Sequence, residues 1–499
     1  AQDIYLTGNP QITFFKVVYR RHTNFSMESI RQTFGGNANF GGNVTATISR
    51  NGDLVHRMYL EHSATFTHPD TGGGNDLNLV ERYGDSLIHD CEIEIGGQRI
   101  DWHTSMWNRV WSDLTEFNPS GHFGSGVPPG PLNGRGTGTL SQLMKGNGYG
   151  LNTDSHSHSF LSNRFNNFGK SSGSLNGFSY TTGSTSRNAS INIGRIFIPL
   201  NFWFCRNPGL ALPLIALQYH EVKVKINFET ISNLALRSTG DGVNHYDNDV
   251  TPATLSTINI SNDIFDLYCD YIYLDTDERR RFAQVSHEYL IDQVQIINSE
   301  INNANPNIEL NFNHPVKELI WCTRNESPGV NGGRCQPVVT EVSGDVTSGP
   351  VSLDTFGGEW LLKLNGHDRF KGRDTKYFTR TQVWQHHTGY GAIPTFGQTR
   401  FNLSGNNHQK SNSYGSDSIG VYSFALKPEE HQPSGTCNFS RIDNAELVVR
   451  NITILTGDSI EGGAQLPPSG SNSIKLTIFA VNYNVLRIMS GMGGLAYSN

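Results

Sequence analysis

The sequence predicts an all-β protein made of two tandem β-sandwiches. Segments such as Val222–Phe228 and Phe265–Tyr271 alternate strictly between apolar and polar residues, which is the period of a strand with one buried face. The 53 glycines and a charged fraction of only 17% favour many turns and long loops over helices. A chain of 499 residues also exceeds what one hydrophobic core usually supports, so two domains are expected.

Further strands are indicated on both sides of these segments. Ile474–Ile478 repeats the alternation near the end of the chain, and we expect one of its faces on a core and the other toward solvent or a partner. The apolar stretch from Ile196 to Tyr219 contains Pro208 and Pro213, so it is interpreted as two buried strands around a turn. No uninterrupted apolar span is long enough to cross a bilayer, and no signal peptide is recognisable.

Three short helical segments are predicted among the strands. The first carries five apolar residues on one helix face: Met106, Trp107, Val110, Trp111 and Leu114. A second candidate runs from about Asp374 to Gln385. Its apolar residues are Tyr377, Val383 and Trp384. The third begins at Asp275, where Asp275–Glu278 resembles a capping box, and we expect a solvated helix there in a linker over 276–295.

The two halves of the sequence show a similar succession of elements. Cys91–Arg99 predicts a strand, a two-residue turn and a second strand, and Trp360–Gly366 repeats this with an Asn-Gly turn. In each half a helical segment with tryptophan follows, then a long polar stretch, then an apolar strand that ends near proline. This succession predicts a duplicated β-fold.

Two polar stretches with little periodicity occupy similar places in the two halves. They run from about Asn118 to Ser190 and from about Ser404 to Gly420. Loops as long as the first are uncommon unless they carry a function. We therefore expect both stretches to project from one end of the molecule and to form its outer surface.

Charge and cysteine content narrow the classes of function. A net charge of −7 argues against broad nucleic-acid binding, which needs a basic surface to displace counterions from phosphates. None of the six cysteines lies in a CxxC pair, and most of them sit in apolar stretches. We expect buried, reduced thiols, with disulfides or a metal site as the alternatives.

No constellation of catalytic, cofactor-binding or metal-binding residues stands out. His156 and His158 have strand spacing but no nearby cysteine or carboxylate ligands, and the adjacent side chains of His386 and His387 diverge. No glycine run is followed by GKS or GKT, and no G-x-S-x-G elbow occurs. The expectation is a protein that is not an enzyme and has no cofactor. A glycan-binding or glycan-cleaving sandwich remains the alternative, although no paired carboxylates are evident for cleavage.

Several N-x-S/T sequons are present. Asn188 and Asn402 lie in predicted loops and are the candidate glycosylation sites.

The strongest functional signal is a resemblance at the two chain ends. Asp3–Phe25 resembles the N-terminal signature of the major capsid proteins of nucleocytoplasmic large DNA viruses, and Ala480–Tyr497 is similar to the ending of that family. Glu94–Asp101 and Leu212–Val222 resemble motifs of its first domain. The resemblance covers essentially the whole chain.

The resemblance implies two tandem eight-stranded jelly rolls with short helices and long surface loops. The expected domains are an N-terminal arm over 1–26 at the inner base, a first jelly roll over 27–275, the helical linker 276–295 and a second jelly roll over 296–499. Lys16, Arg20 and Arg21 of the arm would face inward, toward acidic partners or lipid headgroups.

It also implies a structural role in a virion assembled in the host cytoplasm. Homotrimers of pseudo-hexagonal outline would act as capsomers and tile an icosahedral shell around an internal membrane and the genome. Expected partners are neighbouring capsomers, minor capsid and penton proteins and possibly that membrane at the base, with no direct contact to nucleic acid.

Overall fold

The structure is a computed structural model that describes most of the strands and helices of the chain. The described residues are 19, 22–67, 75–79, 83–116, 144–145, 172–175, 178–182, 188–239, 250–252, 258–301, 305–324, 342–343, 345–346, 358–389, 391, 419–451 and 474–497. Within these ranges no helix combines the length and the apolar character that crossing a membrane requires.

The first half of the chain, residues 25–274, forms two facing sheets and a small third one. Its strands are β1 Phe25–Gln32, β2 Phe34–Gly36, β3 Asn43–Thr47, β4 Leu54–Thr67, β5 Asn75–Leu79, β6 Ile88–Ile95, β7 Gln98–Thr104, β8 Ser172–Leu175, β9 Phe178–Thr182, β10 Asn188–Pro199, β11 Leu212–Pro213, β12 Val222–Phe228, β13 Ala235–Thr239, β14 Val250–Pro252 and β15 Asn259–Leu274. One sheet has the order β1-β15-β4-β10-β9-β8, with β11 beside β4, and the facing sheet has the order β2-β3-β12-β6-β7. Strands β14, β13 and β5 make the third.

The second half, residues 287–495, also forms two facing sheets. Its strands are β16 His287–Ile301, β17 Asn307–Glu309, β18 Pro315–Arg324, β19 Val342–Ser343, β20 Asp345–Val346, β21 Glu359–Leu364, β22 His367–Asp368, β23 Arg373–Asp374, β24 Ile419–Ser423, β25 Cys437–Asn438, β26 Ala445–Arg450, β27 Ile474–Met489 and β28 Met492–Leu495. The sheet orders are β16-β27-β18-β24 and β17-β26-β21-β22, with β25, β28 and β23 at their margins and β19 paired to β20.

The two halves share one strand order. In each, the last long strand (β15 or β27) lies between the first strand (β1 or β16) and a central strand (β4 or β18), whose other neighbour is β10 or β24. The facing sheets correspond in the same way, as β3-β12-β6-β7 and β17-β26-β21-β22. Each half therefore has the eight strands of a jelly roll, and the predicted fold class is confirmed.

The two predicted hairpins are present and use the same turn type. Gly96 and Gly97 connect β6 to β7 with φ of 57° and 86°, and Asn365 and Gly366 connect β21 to β22 with φ of 51° and 77°. Positive φ at both central residues defines the type I′ turn, whose twist matches that of the flanking strands.

Helices are few and short. They are α1 Tyr83–Leu87, α2 Ser105–Thr115, α3 Trp203–Arg206, α4 Ile231–Leu234, α5 Thr276–Gln284 and α6 Gln382–His386, with a π turn at Tyr377–Thr381 and 3₁₀ turns at Pro208–Leu210 and Phe439–Arg441. As predicted, a helical segment with tryptophan follows the hairpin in each half.

The linker helix is solvated as predicted but shorter than expected. Asp275 caps α5 by accepting a hydrogen bond from the backbone N–H of Thr276 at 2.7 Å, and no residue of the helix is buried. The predicted helical linker over 276–295 is wrong beyond Gln284. From His287 onward the chain is the strand β16, because its backbone pairs continuously with β27.

Three other expectations need correction. The second helical segment contains a π turn, which shifts the helical phase, so that Phe378 and Val383 are buried while Trp384 is 81% exposed. The stretch 196–219 contains the end of β10 and the short strand β11, but α3 and a 3₁₀ turn lie between them instead of a single turn. The polar stretch 118–190 is not loop throughout, because it contains β8, β9 and the first residues of β10.

The central sheet of the second half is buried on both faces. Leu476, Ile478 and Ala480 of β27 face the core between the two sheets of that half. Phe479 and Val481, on the other face, pack in a separate cluster that includes residues of α2. At Ile474–Ile478 one face was expected on a core and the other toward solvent or a partner; the second face is covered instead of solvated, since Thr477 is also buried. By contrast, β12 shows the predicted alternation of buried and half-buried residues.

The tight connections of both halves lie at one end of the strands. The turn at Gly96–Gly97 lies beside Gly493 of β28, close to the turn between β27 and β28. At the other end Ser190 pairs with Thr67, and Arg324 pairs with Lys475. The chain next to Ser190, Arg324 and Lys475 leads into the longer connections.

Candidate functional site

Most of the predicted contact and modification residues lie outside the described residues. They are Lys16, Arg20, Arg21, His156, His158 and Asn402. Asn188 is described, but it begins strand β10 opposite Thr182 instead of lying in a loop. In the described ranges no group of three or more His, Cys, Asp or Glu side chains is arranged to hold a metal ion. What the described residues do build is an extensive junction between the two halves.

The centre of the junction is the helix α2. Thr104 caps its start by accepting a hydrogen bond from the backbone N–H of Trp107, and ten of its eleven residues are buried. Its apolar face packs on the outer face of the β16-β27-β18-β24 sheet, where Trp107 lies 5.3 Å from Phe479 between ring centroids. The predicted apolar stripe is thus confirmed, and it joins the halves instead of filling the first roll.

Backbone hydrogen bonds fix the C-terminal end of α2 to the second half. The N–H of Gly389 donates to Leu114 O at 2.7 Å, and the N–H of Gly391 donates to Asp113 O at 2.8 Å. Gly389 must be a glycine here, since a Cβ would lie 2.4 Å from Asp113 O. The hydroxyl of Thr388 also donates to Thr115 O at 2.9 Å. The end of α2 therefore adjoins the chain that directly follows α6.

His387 lies buried between two carboxylates beside this contact. Its Nε2 is 2.9 Å from Glu318 Oε2, and its Nδ1 is 2.9 Å from Glu429 Oε1. Burial alone would lower the pKa of His387, but the two carboxylates outweigh it and raise the pKa to about 9. The imidazolium form is therefore favoured at neutral pH, and it compensates the fully buried Glu318.

A second buried ionic group crosses the junction. Asp292 of β16 forms ion pairs with Lys317, whose Nζ lies 3.1 Å from Oδ1, and with Arg206 of the first half, whose Nη2 lies 3.6 Å from Oδ2. Burial lowers the pKa of Lys317 although Asp292 opposes the shift. The guanidinium of Arg206 also lies 4.9 Å from the ring centre of Trp111. The register of β18 against β27 shifts between Val316 and Glu318. Such a bulge changes the direction of side chains, and here it lies at the adjacent charged residues Lys317 and Glu318.

The C-terminal hairpin provides a further contact between the halves. The N–H of Tyr219 donates to Gly491 O at 2.9 Å, and the N–H of Leu495 donates to Gln98 Oε1 at 3.0 Å. Gly493 packs where a Cβ would lie 2.6 Å from Leu217. Gly491 is therefore a turn residue and Gly493 a packing residue. Met489 and Met492 remain about half exposed at this tip, at 48% and 51%.

The equivalent sheet of the first half carries a group of aromatic residues on its outer face. Tyr59 stacks on Tyr268 with ring centroids 5.5 Å apart and meets Phe197 edge-on at 6.0 Å. Ion pairs Arg31–Asp266 and Arg195–Glu61 flank these rings. A cavity of about 350 Å³ opens beside them, and its lining includes Arg57, Leu200, Met144 and Asp270.

The cysteines behave as predicted where they are described. Cys91, Cys205, Cys269 and Cys322 are buried free thiols, Cys437 is half-buried, and Cys335 lies outside the described residues. Burial raises the pKa of Cys205 to about 12, so its thiolate is disfavoured.

Sequence reasoning missed the role of His387. It correctly expected adjacent His386 and His387 to diverge, since His386 points to Leu426 O and His387 to the carboxylates. The partners of His387 come from β18 and from the segment after β24, so no spacing in the sequence connects them. The only local sign was a histidine at the end of an amphipathic helical segment.

Comparisons with known proteins agree over the whole chain. The family described as major capsid protein N-terminus matches residues 13–126 and 152–275, and the family described as large eukaryotic DNA virus major capsid protein matches residues 278–416 and 401–494. The major capsid protein of Pyramimonas orientalis virus is 44% identical, covering 100% of this chain and 97% of the relative. That of Paramecium bursaria Chlorella virus 1 is 36% identical, covering 100% and 97%. A chain of the PBCV-1 virus capsid superposes with a TM-score of 0.65 at 34% identity, covering 98% of this chain and 100% of the other.

Proposed function

The chain belongs to the major capsid proteins of large eukaryotic DNA viruses, and from this premise we propose that three copies form a capsomer of pseudo-hexagonal outline. Such capsomers tile an icosahedral shell around an internal membrane and the genome. The observation that carries the proposal is the duplicated jelly roll, with one strand order in both halves.

The duplication supports a trimer on geometric grounds. Two similar rolls packed side by side in one chain give six similar rolls in a ring of three chains. A cyclic three-fold interface is heterologous and closes on itself, so no adhesive edge is left over. Contacts between capsomers then repeat many times around a shell, and modest contacts suffice when they act together.

The distribution of turns supports a defined inside and outside. Tight turns lie at one end of both rolls, and the stretches 118–190 and 404–420 would form the outer surface at the other. Strand β1 begins at Phe25 beside Leu274, so the arm 1–26 joins the molecule close to α5. In this proposal Lys16, Arg20 and Arg21 face inward, toward the membrane or acidic minor capsid proteins.

A purely structural, non-enzymatic role agrees with the buried state of the junction. His387, Glu318 and Lys317 have the ionisable groups that catalysis would use, but each is closed off from solvent and held by a partner in the chain. Minor capsid and penton proteins and neighbouring capsomers are the proposed partners. The net charge of −7 disfavours direct contact with nucleic acid.

Assembly in the host cytoplasm is proposed together with this role. The four buried free thiols suit a reducing compartment, where disulfides rarely persist. Glycosylation at Asn188 or Asn402 is proposed only as a modification of the outer surface.

Sedimentation and negative-stain electron microscopy of the purified chain test the proposal. We expect a particle of three times the 55.3 kDa chain mass with a six-sided outline, and hexagonal arrays at high concentration. A particle that stays monomeric at every concentration would contradict the trimer. Hydrolysis of a glycan or binding across a glycan array would favour the alternative sandwich function instead.

A further inference from the structure

The described residues contain two buried lysine–aspartate pairs. Lys145 Nζ lies 3.1 Å from Asp85 Oδ1, and Lys317 Nζ lies 3.1 Å from Asp292 Oδ1. All four side chains are less than a tenth exposed. The two pairs are thus alike in distance and burial, and they differ in the groups that complete them.

A second carboxylate completes the group at Lys145. Glu116 Oε1 lies 3.5 Å from Lys145 Nζ, which also donates a hydrogen bond to Ser112 Oγ at 3.1 Å. Glu116 is the C-cap of α2, and its N–H donates to Ser112 O, so the helix end fixes its position. The Glu116 side chain is 19% exposed, whereas that of Asp85 is 1% exposed. The amine nitrogen therefore contacts both a buried carboxylate and one that can exchange protons with solvent.

A second cation completes the group at Lys317 instead. Arg206 Nη2 lies 3.6 Å from Asp292 Oδ2, so one carboxylate is shared by two cations. Glu318, the next residue along the chain, is paired with His387. The Lys317 group thus has a guanidinium where the Lys145 group has a carboxylate.

We propose that Lys145 and Asp85 form an isopeptide bond in the folded chain, with Glu116 as the catalytic acid and base. The lone pair of the neutral Nζ attacks Cγ of the protonated Asp85 carboxyl. A C–N bond forms, a C–O bond breaks, and one water leaves. Glu116 takes a proton from the nitrogen and returns it to the departing oxygen, so it ends unchanged. The reaction needs no oxidant, reductant or other reactant, and it occurs once per chain, as a modification and not a turnover.

Burial favours the reacting forms of both groups. Tyr83 and Leu87, on either side of Asp85 in α1, belong to the hydrophobic core of the first half. Charges are costly to hold in such surroundings. Transfer of a proton from the ammonium to the carboxylate gives a neutral amine and a neutral acid, and it therefore costs less here than in water. These neutral forms are the nucleophile and the electrophile of the condensation.

The fold also holds the two reacting groups in contact. A Cβ on Gly84 would clash with the backbone oxygen of Lys145, so only glycine allows the two segments to approach this closely. Lys145 is therefore positioned by its backbone as well as by its ion pair. Well-oriented groups within one molecule react as if at concentrations on the order of 10⁵–10⁸ M. Positioning and burial together replace the chemical activation that amide formation needs in water.

The bond would fasten the long polar stretch to the first roll. Lys145 lies within 118–190, which begins shortly after Glu116 at the end of α2. An amide to Asp85 would tie an inner point of this stretch to α1. Covalent closure of a loop restricts the unfolded chain and so stabilises the fold. The inference goes beyond the proposed capsomer and does not depend on it, since a single chain can carry the bond.

Mass spectrometry of the intact, denatured chain is the first test. We expect the unchanged protein to weigh about 18 Da less than its sequence, which is the mass of one water. Glu116→Gln keeps the size of the side chain but cannot relay the proton, so it should show the full sequence mass. Glu430→Gln is the matched control, because it neutralises a carboxylate paired with the exposed Lys427, and it should keep the loss. Circular dichroism checks that both variants are folded.

Tryptic peptide mapping locates the bond. Trypsin does not cut after an acylated lysine, so we expect a branched peptide that joins 83–99 to 136–164 with no cleavage after Lys145. Cleavage after Lys317 should be normal, because its group lacks the second carboxylate. A branched peptide that includes Lys317 would overturn the role given to that carboxylate.

Two results would overturn the bond itself, and neither requires a variant to fold. One is the full sequence mass of the unchanged protein. The other is a loss of water with linear peptides at Asp85 and Lys145, since the water would then have left another site. A folded Glu116→Gln chain that still loses water and yields the branched peptide would refute Glu116 as the catalyst.

Discussion

Replacing His387 by glutamine tests whether the buried ionic contact stabilises the junction between the halves. The carboxylates of Glu318 and Glu429 raise the pKa of His387 to about 9 from 6.5, against the effect of burial. A shift of this size corresponds to about 3 kcal/mol of stability when the imidazole is charged. Glutamine keeps a donor and a similar volume but carries no charge, so most of this stabilisation should be lost at neutral pH.

The pH dependence follows from the sign of the shift. Because the pKa is higher in the folded than in the unfolded chain, the contribution is complete below about 6.5 and disappears as the pH rises through about 9. The difference in unfolding free energy between the unchanged protein and His387→Gln should therefore be about 3 kcal/mol at pH 6 and close to zero at pH 10. Lysines, tyrosines and cysteines also titrate in this range, but they do so in both proteins and cancel in the difference.

Urea unfolding followed by tryptophan fluorescence at pH 6, 7, 8, 9 and 10 measures this difference. Several tryptophans, Trp107 and Trp111 among them, lie at the junction, so the signal reports on it. His367→Gln, at an exposed position of β22, is the control and should match the unchanged protein at every pH. A stability difference that stays constant from pH 6 to pH 10 would refute a charged His387.

Three further experiments test other contacts of the chain. Gly389→Ala should cost about 1–3 kcal/mol of stability, because the added Cβ overpacks against Asp113 O. Gly35→Ala is the control and should cost less, since its nearest atom is 3.5 Å away; equal melting temperatures of the two variants would contradict the close approach. Thr104→Ala should cost about 1 kcal/mol by removing the cap of α2, and the same melting assay would show no change if the cap were unimportant. In native alkylation followed by peptide mass spectrometry, Cys437 should react before Cys91, Cys205, Cys269 and Cys322; faster labelling of any of these four would contradict their burial.

The local elements of the fold could be predicted because each has a signal within a few residues. Strict alternation identified β12 and part of β15, and glycine or Asn-Gly pairs identified both I′ turns. The apolar spacing of α2 also identified the helix correctly. These signals are short-range, since turn geometry and amphipathic periodicity depend only on neighbouring residues.

The tertiary roles could not be predicted from the same signals. The stripe on α2 looks the same whether it packs in its own roll or on the next one, and the polar side of α2 gave no sign of its burial. The exposure of Trp384 could not be predicted, because the π turn that shifts the helical phase has no clear sequence mark. The helical linker was predicted to run to residue 295, but β16 begins at His287. The sequence gives no local sign of this, because β16 is held by its pairing with β27, which is far away in the chain.

The buried charges of the junction explain how two similar rolls keep one relative orientation. An apolar helix on an apolar sheet can slide or rotate with little change in buried area, because hydrophobic burial is non-directional. Asp292 must meet both Lys317 and Arg206, and Glu318 must meet His387, which a shifted packing would leave unpaired. An unpaired buried charge costs several kcal/mol, so these groups penalise the alternatives more than they stabilise the native arrangement. In a chain made of two copies of one fold, where many similar surfaces compete, such contacts specify which helix packs on which sheet.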